Sequence, residues 1–207
     1  MFEDRVDAGR ALAGLLQEYK GRKDIVVLAL PRGGVPVGAE VARALDAPLD
    51  VLIVRKLGVP MQPELAMGAI ASGGARHLND ELIEICGITP KQIENVVARE
   101  TLELQRRERL YRGDRAPLEV RDRTLIVVDD GIATGASMIA AVSALRRLAP
   151  AAIVVAVPVA PPDTAAHLQD LVDRFVCVET PPNFRAVGQF YRRFDQTTDE
   201  EVRKLLA

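Results

Sequence analysis

The sequence has no tryptophan, only five phenylalanines and three tyrosines, two cysteines and two histidines in 207 positions. Cys86 and Cys177 show no metal-ligand spacing, and neither His77 nor His167 lies near them in sequence. A disulfide scaffold and a zinc site are therefore not expected. Both thiols read as buried or incidental groups in a reducing compartment. No run of 18 uncharged apolar residues occurs, so no membrane-spanning helix is expected. The first stretch, "MFEDRVDAGRALAGLLQEYKGRKD", is broken by charge before an apolar signal segment forms, and the expectation is a soluble, cytoplasmic protein. An excess of one charge is lacking as well. Lys and Arg number 27 against 29 Asp and Glu, for a net charge of -2, so no nucleic-acid partner is expected. Repeats, low-complexity tracts and linkers are absent too.

What is present is a hydrophobic content of 48%, enough for one good-sized core and an appended subdomain. Short apolar runs alternate with helical patterns, the signature of βαβ units. "DIVVLAL", "LDVLIVRK", "TLIVVDD", "AAIVVAVPV" and "DRFVCVE" read as strands. Their unbroken Val, Ile and Leu imply cover on both faces. The predicted fold is α/β, a three-layer α/β/α sandwich with a mostly parallel central sheet, as one domain over residues 1–207. Asp4 is placed to cap a first helix with Leu12, Leu15, Leu16 and Tyr19 on its apolar side.

Residues 56–123 break this rhythm and read as a loop and helix insertion. "KLGVPMQPE", with a glycine and two prolines, predicts an exposed, mobile loop. "LAMGAIAS" and "GARHLN" predict a hairpin turning at Gly73-Gly74. A long helix then starts at Thr89, with Gln92 completing a capping box and Pro90 in the first helical position. Its Glu103–Arg107 and Glu108–Arg112 spacings predict a solvated face rather than a nucleic-acid patch.

The chemistry concentrates in "TLIVVDDGIATGASM". On a strand, Asp129 and Asp130 fall at the carboxyl end, the edge where open α/β sheets bind ligands. The next loop runs into a helix, and its backbone N–H groups with the Thr134 and Ser137 hydroxyls suit a phosphate. Gly131 and Gly135 allow tight turns. A ligand satisfying both carboxylates and cradle carries a phosphate beside hydroxyl donors or a metal, as a sugar phosphate does. A nucleotide hydrolase would need a G-x-x-x-x-G-K-[ST] loop, and a dinucleotide site G-x-G-x-x-G; the first strand is followed by "PRGGVPVG" instead. The plainer alternative is that the two acids only solubilise a strand end and cap a turn.

"VVDDGIATGAS" resembles the phosphoribosyl-pyrophosphate (PRPP) signature of type I phosphoribosyltransferases. With "PRGGVPVGAEVA", "VRKLGVPMQPELAMGAIA" and "AVGQFYRRFDQTTDEEV", the resemblance spans nearly the whole chain and is closest to a group without an assigned acceptor. The resemblance implies a hood, from the N- and C-terminal segments, over the carboxyl ends of the strands. It implies Mg²⁺ dependence, a homodimer, and transfer of phosphoribosyl from PRPP to a small nitrogenous acceptor, as in nucleotide salvage. The alternative it carries is a PRPP- or nucleotide-sensing regulator without transfer. Asp129 and Asp130 would take the ribose hydroxyls, directly or through Mg²⁺. Gly131, Ile132, Ala133, Thr134, Gly135, Ala136 and Ser137 would wrap the 5-phosphate. Arg32, Gly33 and Gly34 would form the pyrophosphate loop, joined by Arg55 and Lys56, with Arg32 and Lys56 as catalytic cations. For Arg32 and Lys56 an ordinary surface role is the alternative. The family's 6-oxopurine enzymes carry a third acid where Ala133 stands, so alanine resembles the adenine and uracil branches.

Near the C-terminus, Phe184, Phe190, Tyr191 and Phe194 bring together half of the chain's aromatics. Phe184 is the candidate to stack on a base, while the cluster suits pinning of the tail equally well. Thr198 and Glu201 predict a capped final helix.

Overall fold

The computed structural model describes residues 1–207. Asp4 opens α1 (Arg5–Gly14), its carboxylate accepting the Val6 and Asp7 N–H groups at 3.0 Å. A 3-10 turn over Gln17–Tyr19 ends the segment, and Leu12, Leu16 and Tyr19 are buried while Leu15 is exposed. β1 (Ile25–Ala29), α2 (Gly34–Leu45) and β2 (Leu49–Val51) follow. β3 (Val54–Val59), β4 (Gln62–Ala71), β5 (Ala75–Leu78), α3 (Asp80–Ile85) and α4 (Pro90–Arg112) make up the middle of the chain. β6 (Thr124–Val128), α5 (Ala136–Arg146), β7 (Ala152–Val159), α6 (Pro162–Leu171), β8 (Arg174–Glu179) and α7 (Asp199–Leu206) complete it.

The five strands β2-β1-β6-β7-β8 form a wholly parallel sheet, in that order. Successive residues of β1, β6 and β7 alternate between two cores. Val26, Leu28, Leu125, Val127, Ile153 and Val155 pack with α5 and α6. Ile25, Val27, Ile126, Val128, Val154 and Ala156 pack with α1 and α2. Every residue of β1 and β6 is buried, as the unbroken apolar runs predict. Each such Val, Leu or Ile contributes roughly 1.5–3 kcal/mol. The three-layer α/β/α expectation holds.

Strand order reverses between β1 and β6, because the chain leaves β1 toward β2 on one side and β6 toward β7 on the other. That is the switch point where ligands bind in open sheets. Ala29 pairs with Val128 in register, so the loops after β1 and β6 emerge side by side.

Two sequence expectations are corrected here. "LDVLIVRK" is not one strand. β2 ends at Val51, the chain crosses through buried Leu52 and Ile53, and β3 joins a separate antiparallel sheet, β3-β4-β5. Ser72 secures the crossing: its Oγ accepts the Ile53 N–H at 2.9 Å and its own N–H donates to the Ile53 carbonyl. "KLGVPMQPE" is likewise a hairpin rather than a loop, with β3 pairing β4 antiparallel around a turn at Pro60-Met61. Leu57 and Val59 are buried beneath it while Met61 is 97% exposed. The turn at Gly73-Gly74 is as predicted, both glycines having φ of 80°.

The capping boxes at Thr89/Gln92 and Thr198/Glu201 are present. The solvated face of α4 holds for Glu103, which pairs with Arg106 and Arg107. At Arg112 the expected pair with Glu108 forms at 3.3 Å, but the arginine is buried against Asp50 rather than solvated. Cys177 is half-buried and burial pushes its thiol up to about 11, whereas Cys86 is exposed. No helix is long and apolar enough to cross a membrane.

Candidate functional site

The loops after β1 and β6 touch. A Cβ at Gly33 would lie 2.0 Å from Asp130 Oδ2, and one at Gly34 would lie 2.9 Å from both Asp129 Cα and the Val128 carbonyl oxygen. Only glycine allows this approach. Asp129 and Asp130 are both half-buried, and Asp129 Oδ1 accepts the Asp130 N–H at 2.8 Å. Next to them, a cavity of about 250 Å³ is lined by Asp129, residues 131–138 and Val187.

Helix caps distinguish this edge from the rest of the molecule. α1, α3, α4 and α7 each begin with a side-chain cap, from Asp4, Asn79, Thr89 and Thr198. α2, α5 and α6, which follow β1, β6 and β7, have none. The first turn of a helix leaves up to four N–H groups without intrahelical partners, together with the positive end of the helix dipole. At α5 the residue before the helix is Gly135, with φ of 78° and space for no ordinary side chain against Thr164. Thr134 Oγ accepts the Ala136 N–H only at 3.4 Å, and Thr164 donates to the Ala133 carbonyl at 2.9 Å. The loop is thus held from outside, and the start of α5, which lines the cavity, has no side-chain cap on its first amides, an arrangement suited to an anion.

The carboxylates carry opposing influences. Burial pushes Asp129 well above the usual carboxylate range, and the neighbouring Asp130 charge adds to the shift. Burial raises Asp130 also, against the pull of the Arg5 guanidinium, whose Nε lies 2.8 Å from Asp130 Oδ2. The Tyr191 hydroxyl donates to the Asp130 carbonyl at 2.5 Å. Burial and the two aspartates hold its phenol above the usual range, so it acts as a donor. Two crowded carboxylates next to a phosphate cradle need hydroxyl donors or a cation from the ligand.

The phosphoribosyl transferase domain family model matches residues 3–195. This chain belongs to that family. Two Mycobacterium tuberculosis proteins, MT0597 and Rv0571c, carry the provisional name phosphoribosyl transferase. Each is 49% identical over 202 residues, 98% of this chain. The chain spans 45% of the length of these curated relatives. The crystal structure of TT1426 from Thermus thermophilus is 41% identical with a TM-score of 0.89, covering 99% of this chain and 97% of that one.

Within this phosphoribosyl transferase domain, the cations predicted from sequence are not all gathered at the acidic pair. Arg32 follows a cis Pro31–Arg32 peptide and points toward α7, with Nη1 3.7 Å from Asp199 Oδ1. Asp199 also accepts the Tyr111 hydroxyl at 2.8 Å. Arg55 and Lys56 lie on β3 and line a second cavity, of about 340 Å³, which Ser137 joins to the phosphate cradle. Arg55 is already engaged: its Nε and Nη2 lie 2.9 and 2.6 Å from Glu100 Oε2. Lys56 is exposed and has no ion pair. Arg99 and Glu100 of α4 share this cavity and were missed, because a helical surface pattern does not reveal what a distant strand brings against it.

Phe184 does not line the cradle. It is half-buried and packs on Phe190, with ring centroids 5.2 Å apart. Val187 stands nearest instead, and a Cβ at Gly131 would lie 2.5 Å from its Cγ1. The aromatic cluster joins the termini. Phe2 bridges to Tyr191, its N–H donates to the Phe190 carbonyl at 2.8 Å, and Arg192 N–H returns to the Phe2 carbonyl at 2.9 Å. Arg5 was missed for a plain reason: 125 positions separate it from Asp130.

Proposed function

We propose that this chain transfers the 5-phosphoribosyl group of PRPP to a nitrogenous, nucleobase-like acceptor and releases pyrophosphate. The observation that carries the reading is the adjacency of two crowded carboxylates to the uncapped start of α5. A phosphate alone would be repelled by the acids, and a neutral sugar alone would leave the amides unused. A phosphorylated ribose satisfies both.

In this reading the amides and hydroxyls of residues 133–137 hold the 5-phosphate. Asp129 and Asp130 accept hydrogen bonds from the ribose 2′- and 3′-hydroxyls, fixing the anomeric carbon. The bond from that carbon to the pyrophosphate oxygen breaks as the acceptor nitrogen forms its own, and the proton shed by the nitrogen passes to the released pyrophosphate or to solvent. Positive charge develops on the sugar, which the two carboxylates favour. Negative charge develops on the leaving group, for which Arg32, the amides of Gly33 and Gly34, and Lys56 are suited. The donor set also fits a hard cation held by one or two carboxylates plus ligand oxygens, because no third acidic, histidine or cysteine ligand is grouped with them. Mg²⁺ bound there by Asp129 and Asp130, directly or through the ribose hydroxyls, would neutralise pyrophosphate charge. The paired termini would serve as the hood, and Phe184 remains a base-stacking candidate only through rearrangement of its contact with Phe190. Ala133 supplies no third acid, in keeping with an acceptor other than a 6-oxopurine. A cytoplasmic homodimer working in nucleotide salvage, without nucleic acid, completes the proposal.

The test is calorimetry of PRPP with Mg²⁺. Asp129→Asn/Asp130→Asn should lose affinity by at least about 100-fold while keeping the wild-type circular dichroism. Equal affinity in both proteins would refute the site. A screen of nitrogenous bases for pyrophosphate release then tests transfer. Tight PRPP binding without turnover across the panel would make the chain a sensor rather than an enzyme.

A further inference from the structure

Asp130 is held from two sides by segments that lie far from it in sequence. Arg5 Nε meets its Oδ2 at 2.8 Å, and the pair is largely buried, with side chains 13% and 14% exposed. Arg5 is itself fixed. Its Nη1 donates to the Asp195 carbonyl at 2.7 Å, and its guanidinium lies 4.0 Å from the centroid of the Phe194 ring. Phe194 packs on Tyr191, with centroids 4.9 Å apart, and the Tyr191 hydroxyl binds the Asp130 carbonyl. Gly33 closes in on the same oxygen, since a Cβ there would lie 2.0 Å from Asp130 Oδ2 and 3.3 Å from Arg5 Nε, so Arg5, the Asp130 carboxylate and the loop bearing Arg32 meet at one point.

The geometry of the contact matters. A guanidinium that fully neutralises a carboxylate grips it in a two-pronged fork. Here a single Nε reaches one oxygen, while Nη1 donates to the Asp195 carbonyl and the guanidinium stacks over the Phe194 ring. Oδ1 of Asp130 keeps its acceptor capacity. The arrangement aims the carboxylate while leaving it free to bind.

We propose that Arg5 is a positioning residue, which orients Asp130 toward the ribose hydroxyls and ties that orientation to the paired N- and C-terminal segments. The inference rests on the phosphoribosyl reading above and adds a residue to it. Arg5 touches no substrate and acts through Asp130. Losing it frees the aspartate side chain to turn away, and the cost falls on ligands that use the ribose.

A mutant cycle distinguishes this role from simple packing. Arg5→Gln should weaken PRPP binding with Mg²⁺ by on the order of 10- to 100-fold in calorimetry. Arg5→Lys, which keeps a charge and a donor, should recover part of the loss. Arg5→Gln/Asp130→Asn should bind PRPP no more weakly than Asp130→Asn alone, because the first substitution acts through the second residue. Inorganic pyrophosphate without added metal, which brings neither the ribose nor the Mg²⁺ assigned to the two aspartates, should bind wild type and Arg5→Gln alike. Additive losses in the cycle, or parallel loss of pyrophosphate, would mean general loosening and overturn the proposal. So would PRPP affinity unchanged in Arg5→Gln while the wild type binds. A wild type that takes up no PRPP overturns the phosphoribosyl reading itself, and the role of Arg5 with it.

Discussion

Two buried arginine–aspartate pairs in this molecule differ in how completely they are satisfied. Arg112 and Asp50, with side chains 5% and 8% exposed, join α4 to β2. Asp50 accepts Arg112 Nε at both oxygens, at 3.1 and 3.2 Å, and also the N–H groups of Val51 and Leu118. Arg112 Nη2 reaches the Val51 carbonyl as well. The Asp130 carboxylate, by contrast, accepts from one side chain, that of Arg5, and has another carboxylate as its neighbour. The first pair is closed and serves the fold. The second leaves acceptor capacity and unbalanced charge at the sheet edge, the incompleteness on which the proposed ligand site rests.

The comparison breaks most visibly at Arg112. Arg112→Ala leaves Asp50 buried without its counter-charge and should cost about 3–5 kcal/mol in denaturant unfolding. PRPP affinity of the protein that remains folded should match wild type, since the pair is remote from the cradle. A loss below about 1 kcal/mol would show that water or a neighbouring group takes over the aspartate.

A smaller effect separates two glycines. At Gly34 an added Cβ meets main-chain atoms of Val128 and Asp129, each at 2.9 Å, so Gly34→Ala should force the β1 and β6 loops apart. Overpacking of this kind costs roughly 1–3 kcal/mol, and PRPP affinity should fall with it. At Gly14, the last residue of α1, nothing lies within 4 Å of the added carbon. Gly14→Ala should therefore stabilise by about 0.4–1 kcal/mol without touching ligand binding. Thermal unfolding and PRPP titration of the two variants check both expectations, and equal behaviour would remove the argument for close approach at Gly34.

The readable parts of the sequence are those whose physics is local. The capping boxes of α4 and α7, the Gly73-Gly74 turn and the buried strands β1 and β6 each follow from a few neighbouring residues. "VVDDGIATGAS" sets its acids at a strand end and its loop before a helix, as β6 and α5 do, because both features are themselves local. What escaped is non-local. Leu52 and Ile53 continue an apolar run without a break, and nothing in it marks the passage from one sheet to another. Arg112 has the spacing of a solvated helix pair, and its burial depends on Asp50, 62 positions away. Arg5 looks like an ordinary first-turn arginine until the termini pair and bring Asp130 to it.

The gentlest test compares the two aspartates by pH, in ligand-free protein with chelator present. Asp129 titrates above its unfolded value, near 3.9, because burial and Asp130 disfavour its charge. The folded state therefore binds more protons than the unfolded chain between those two values, and its stability falls as pH rises through that window. Above the folded value the penalty is complete and stays constant. Asp129→Asn removes it while keeping an oxygen that accepts the Asp130 N–H. The variant should melt at a higher temperature than wild type at pH 7, and the gap should close as pH approaches about 4. A variant no more stable than wild type at pH 7 would mean that Asp129 is not strained by its surroundings. The incompleteness that separates the site from the fold would then belong to Asp130 alone.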